Sequence, residues 1–334
     1  MSFARRVGVA VVVLCVPVCA VAQQIVSARA GLVHYSDGRV LLNEKPIVHK
    51  VSQFQEVRDL EYLRTERGRA EVLLTPGVFL RLGEDTQIQM LATRLADVRL
   101  RLLSGSAVIE ADELNKETAV TVAVGDATVH LARNGLYRLD VEKDEPPRLR
   151  VFSGEALVTT KSDAEYRVKS KKEIELAGDF QTKKFDPEDT DALDRWSKRR
   201  ASYLSVANIS ASRVAYNRGL SFASSRWVWN PFFGMWTFLP YRSIAWSPYG
   251  YGFYSPRAAY VLYNPPRPAP SAGAMGAGSS PTRAYNPSYG YTSVGTTSAG
   301  TSGVMASSPS ASASQGGGGT VSRGTATGGG GARK

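Results

Sequence analysis

His34, His49 and His130 are the three histidines of this 334-residue chain, and none stands at a spacing that builds a metal site or a catalytic dyad. There is no His-x-x-x-His pair, no acidic cluster at metal-ligand spacing and no Gly-x-Ser-x-Gly elbow. Asp112, Glu113 and Glu117 gather around a predicted loop, the usual place for solvated acids. A glycosidase-like acid pair is defined by separation in space, so an envelope hydrolase stays open as one alternative. The expectation is no catalytic residue, no metal ligand and no cofactor.

Two other groups could recognise a ligand. Arg99 with Arg101, and Arg148 with Arg150, alternate along predicted strands, so each pair shares a face and the four could form a basic stripe for an acidic ligand. The competing reading is outward charge on solvated strands. Trp227, Trp229, Trp236 and Trp246 are four of the five tryptophans, and their rings could stack on sugars or proline-rich peptides, sit at a membrane interface, or pack inward. Inward packing is expected first and glycan stacking second.

The elements that would position these residues are strands. "RLRLLSGSAVI" at 99–109 and "RLRVFSGEALV" at 148–158 repeat one phrase at an offset of 49 positions, and residues 68–116 superpose on 117–165 without a gap. Phe79-Leu80-Arg81-Leu82 and Thr128-Val129-His130-Leu131 alternate with period two, which places Arg81 and His130 on an exposed strand face. Thr75-Pro76-Gly77, Asn134-Gly135, Ser104-Gly105 and Ser153-Gly154 supply the reversals. The pattern predicts an all-β fold of stacked short strands, a β-solenoid or sandwich, over residues 23–185. Asp186 as cap and Pro187 at the first helical position predict one closing helix over 186–208, with Leu193, Trp196, Tyr203 and Leu204 on a common stripe. Trp196 is expected to anchor that helix on the strands.

Composition shifts at both ends. Arg5 and Arg6, the apolar run from Val7 to Val18 and Ala20-Val21-Ala22 read as an export signal over residues 1–22, too short for a membrane span. The expected product is a periplasmic or secreted chain with no transmembrane helix. A lipoprotein anchored at Cys19 is the lesser reading, because Val18 is not the small residue a lipobox calls for. Cys15 and Cys19 both leave with the signal, which excludes disulfides and thiolate chemistry. All 30 acidic residues precede Arg195, while 14 basic residues follow Asp194. Outside the cytoplasm such a cationic half reads first as a solvated, solubilising charge distribution, and second as a contact for an anionic glycan, an envelope protein or a membrane surface rather than nucleic acid. Residues 209–263 are aromatic-rich, with Asn230–Gly234 as the reversal of a hairpin, and 264–334 read as a disordered basic tail rich in Gly, Ser, Pro and Ala.

The stretch Gly68-Arg69-Ala70-Glu71-Val72 leading to Phe79-Leu80-Arg81-Leu82, then Arg101–Ala107, Ala127-Thr128-Val129 and Gly135–Leu139, resembles the FecR-type domain. The resemblance spans roughly residues 28–180. It implies a periplasmic all-β domain of the kind that relays the state of an outer-membrane receptor to a sigma factor. Signalling members carry a cytoplasmic segment and a transmembrane helix, which this sequence does not show ahead of its strands. The sequence therefore points to a non-catalytic exported protein that binds, scaffolds or senses, or alternatively to an accessory component of such a pathway.

Overall fold

The computed structural model describes residues 29–48, 54–114 and 116–264. The predicted export signal, His49 and the tail beyond Asn264 lie outside the described residues. Where apolar and polar residues alternate the chain is extended: β1 (Leu32–Leu42), β2 (Lys45–Pro46), β3 (Tyr62–Leu73), β4 (Val78–Leu82), β5 (Gln87–Arg94), β6 (Asp97–Ala111) and β7 (Ala119–Val124). These are followed by β8 (Ala127–Leu131), β9 (Gly135–Val141), β10 (Arg148–Ser153), β11 (Glu155–Thr159), β12 (Glu165–Lys169), β13 (Lys172–Glu175) and β14 (Thr182–Lys184). All are linked by hydrogen bonds into one system, mostly antiparallel, with β6 and β7 parallel.

Two layers arise because the longest strands change partners along their length. Residues Asp97–Ser104 of β6 pair with β5 and, over the first part, with β7, whereas Gly105–Ala111 pair with β9 and, in part, with β4. The strand passes between layers at Gly105, which holds φ +82°. A Cβ there would stand 2.5 Å from the Thr86 Cα, so only glycine fits both the backbone and the space. Gly154, at φ +90°, makes the same crossing between β10, which pairs with β9 and β13, and β11, which pairs with β8 and β12.

The 49-residue offset in sequence has a counterpart in register. Leu80 faces Ile109 as Val129 faces Val158, and the pairs Gln87–Ser104 and Leu136–Ser153 sit at the same irregularity of their ladders. The correspondence ends at β7, whose parallel pairing with β6 has no equivalent. Between the layers Leu80, Ile88, Leu100, Val129, Leu139 and Val158 form the main core.

Period-two alternation sends Glu71, Arg81, Glu110 and Arg138 to the opposite face of β3, β4, β6 and β9, where polar side chains of an antiparallel sheet ordinarily meet water. Here that face is covered. Helix α1 (Ala192–Asn217), the hairpin β15 (Arg226–Asn230) and β16 (Met235–Leu239), the hairpin β17 (Ile244–Trp246) and β18 (Gly252–Tyr254), and helix α2 (Pro256–Tyr263) make up the rest of the described chain. Leu204, Trp227, Trp236, Phe238 and Phe253 pack with Leu32, Leu73 and Phe79, while Leu193 and Trp196 pack on Val108 and Leu136.

Three expectations are corrected here. The helix opens at Ala192 with Asp191 as its cap, not at Asp186, and runs to Asn217 rather than 208. Asp186 instead accepts the Glu188 N–H in a local turn, and the Asp191–Asp194 capping box wins because both aspartates also meet Arg138. Tyr203 leaves the predicted stripe and is exposed, since residues 196, 200 and 204 already fill the sheet-facing side. A second helix, α2, joins the one expected: Ser255 caps it and Pro256 starts it.

Candidate functional site

The covered face of the sheet holds a buried seam of charge. Arg81 is 0% exposed; its Nε donates to Glu71 Oε2 at 2.8 Å and its Nη1 to Glu110 Oε2 at 2.5 Å. Glu71 and Arg81 are register partners on β3 and β4, so the strands themselves place them side by side. Helix α1 adds Arg200, whose Nη2 donates to Glu71 Oε1 at 2.7 Å while its guanidinium lies over the Tyr35 ring. The loop between β17 and β18 adds Ser247, whose hydroxyl hydrogen-bonds Glu110. This corrects the expected exposed position of Arg81; His130, its counterpart 49 residues on, is half-buried in the layer that the helix does not cover.

His34 joins the seam to the aromatic hairpin. Its Nε2 accepts the Trp236 N–H at 3.0 Å, so Nδ1 bears the proton and donates to Glu71 Oε1 at 2.8 Å. Burial lowers the His34 pKa against the pull of Glu71, keeping the ring neutral. Burial alone would raise Glu71, yet Arg200 and Arg81 outweigh it and hold this carboxyl well below the usual range. Asp112 moves the other way: burial first, then the charge of Glu110, pushes its pKa well up. Asp112 is therefore no solvated loop acid, because its loop is overlaid by the covering half of the chain.

A second cluster pins the start of α1. Arg138 donates from Nη1 to Asp194 at 2.7 Å, from Nη2 to Asp191 at 2.7 Å and from Nε to Asp140 at 2.9 Å. Arg150 and Ser106 complete the Asp140 carboxylate. Farther along the helix, Asn208 bonds the backbone of Phe238 and Tyr254, and Thr237 bonds Leu204 O. Side-chain hydrogen bonds thus fix both hairpins to α1, which matters because a two-stranded hairpin is only marginally stable alone.

The predicted ligand residues are dispersed. Arg99 and Arg101 are exposed on the first half of β6, with Arg99 bonded to Asp97. Arg148 and Arg150 lie on β10, with Arg148 bonded to Glu145 and Arg150 drawn into the Asp140 cluster. No strand pairing joins these two segments, so the four arginines make no single stripe. Trp227 and Trp236 are buried; Trp229 is half-buried and meets Trp236 and Phe54 edge-on at 5.8 and 5.4 Å. Trp246 stands apart, 59% exposed on β17. Sequence reasoning missed His34, Glu71, Arg81, Glu110 and Arg200. One signal was present: a charged residue flanked by Leu80 and Leu82 on a strand whose remaining outward residue, Phe79, is apolar.

A family model described as FecR protein matches residues 61–157. No curated protein matches the chain. Two crystal structures from Parabacteroides distasonis, both provisionally described as anti-sigma factors, are similar to it at 13% identity. The first match has a TM-score of 0.35 and covers 41% of this chain and 64% of that one, so it spans under two thirds of the relative. The second has a TM-score of 0.34 and covers 61% of this chain and 91% of the other. Together with the strand pattern, the family match establishes that this chain carries a FecR domain, over residues 61–157.

Proposed function

We propose that the protein is a non-catalytic component of a bacterial envelope signalling pathway of the FecR type, acting by binding, scaffolding or sensing. The observation that carries this reading is the FecR domain itself, closed on one face by the chain's own C-terminal half. The charges of its inner seam are engaged with one another: Glu71 meets Arg81, Arg200 and His34, and Glu110 meets Arg81 and Ser247. Such a seam suits mechanical coupling between sheet and helix rather than turnover. The export features of residues 1–22 support action in the periplasm or outside the cell, and among the described residues no helix is long and apolar enough to cross a membrane. On this reading the chain acts on the exported side of the pathway, as an accessory component.

Deleting the gene and measuring transcription from promoters of neighbouring extracytoplasmic sigma factors tests the reading. A change restored by the wild-type chain supports it. Unchanged transcription, together with hydrolysis of an envelope polymer by the purified protein, would replace it with the hydrolase alternative.

A further inference from the structure

Helix α2 is built the wrong way round for a helix packed on a core. Ala259 is its one fully buried residue, whereas Tyr260, Val261, Leu262 and Tyr263 are all 40–51% exposed. The apolar surface continues beyond the helix. A groove of about 990 Å³ runs between α2 and the end of α1, lined by Tyr216, Leu220, Phe222, Tyr241, Tyr260 and Val261. On the other side of α2, Val261 and Leu262 adjoin Ile244, and Trp246 lies two residues farther on the same strand face. Contiguous exposed apolar surface of this kind marks an interaction site on a soluble protein.

Its rim is arginine-rich, with one half-buried carboxylate, Glu113, bonded to Ser225 beside Tyr241. Arg213, Arg242 and Arg257 are exposed around the patch, with Arg213 over the Tyr263 ring and Arg242 over Tyr241. No acidic residue occurs anywhere from Arg195 onward. A protruding nub of tyrosine, tryptophan, valine and leucine, rimmed by arginine, has the composition of an interfacial membrane contact: aliphatic residues enter the acyl boundary, rings sit at headgroup level and cations meet phosphate.

We propose that this patch docks the protein on the surface of an anionic phospholipid bilayer. The docking goes beyond the signalling role, and its failure would leave that role standing. Flotation of the purified full chain with phosphatidylethanolamine vesicles, with and without phosphatidylglycerol, tests it. Binding is expected on the anionic vesicles, with weakening in high salt. The exposed double change Val261→Glu/Leu262→Glu should lower partitioning at least about tenfold with an unaltered melting curve, and Arg257→Glu should lower it roughly fivefold or more. Leu103→Glu, exposed on β6 away from the patch, should bind as the parent does. Three results would overturn the proposal: equal binding to neutral vesicles, a patch variant that floats like the parent because the tail carries the attraction, or patch-dependent dimers on a sizing column without flotation.

Discussion

Replacing Arg81 by methionine leaves two carboxylates facing each other across a gap the guanidinium used to bridge. Glu71 keeps Arg200 and His34, so most of its compensation survives. Glu110 keeps the Ser247 hydroxyl and the contact with buried Asp112 but no cation, so it becomes the less compensated of the two charges. All three members of the original bridge are 0% exposed. Removing one partner of such a buried arrangement costs about 3–5 kcal/mol. At roughly 2–4 °C per kcal/mol for a domain of this size, Arg81→Met should lower Tm by about 6–20 °C at pH 7. Adding Glu110→Gln to Arg81→Met should restore at least about 1 kcal/mol, because the second change removes the orphaned charge. Circular dichroism melts of the parent, single and double variants at pH 7 measure this. An Arg81→Met protein within about 1 kcal/mol of the parent at pH 7, or a double variant weaker than the single by the full cost of Glu110→Gln, would refute the reasoning.

Trp227→Ala should cost about 3–5 kcal/mol in urea unfolding, as truncation of a buried ring in contact with Phe79 and Phe238. Trp246→Ala, on an exposed ring, should stay within about 0.5 kcal/mol. His34 is neutral in the fold and charges more readily when unfolded, so its contribution is complete above pH 6.5 and is lost as pH falls below that value. Glu71, lowered in the fold, adds a further loss once pH drops below 4.5. Asp112, raised in the fold, works in the opposite direction, so the diagnostic is the difference between proteins: the part of the urea-midpoint decline that lies just below pH 6.5 should be flattened by His34→Gln. Gly105→Ala and Gly154→Ala should each cost about 1–3 kcal/mol or more, since a Cβ meets Thr86 at 2.5 Å in one case and Asn134 at 2.6 Å in the other. Gly178→Ala, also at positive φ but in open space, should cost less in the same melts. N-terminal sequencing of the protein recovered from its native host should begin at Gln23; an intact Met1 or a lipidated Cys19 would contradict the export reading.

The FecR strands could be read from sequence because their information is local. Alternation fixes which residues of β4 and β8 face the core, and Ser-Gly pairs mark the layer crossings at Gly105 and Gly154. The aromatic hairpin was equally legible, from Asn230–Gly234 and the rings on either side. The seam was not, because exposure of a strand face depends on what a distant segment lays over it. Arg200 reaches Glu71 across 129 positions and Trp236 reaches His34 across 202, and neither contact leaves a spacing signature in one sequence. The helix start was misplaced for a related reason. Asp186-Pro187 satisfies every local rule for a beginning, and only Arg138, far back on β9, selects Asp191 and Asp194 instead.

That the C-terminal half is locked to the FecR sheet through buried charge is tested most directly by a double-mutant cycle on Glu71 and Arg200, the contact that joins β3 to α1. Unfolding free energies of the parent, Glu71→Gln, Arg200→Met and the combined variant give the coupling between the two side chains. A direct bond at 2.7 Å between two groups less than one-tenth exposed should yield about 1–3 kcal/mol of coupling. Changes that simply add, within about 0.5 kcal/mol, would mean that helix and sheet do not meet through this seam.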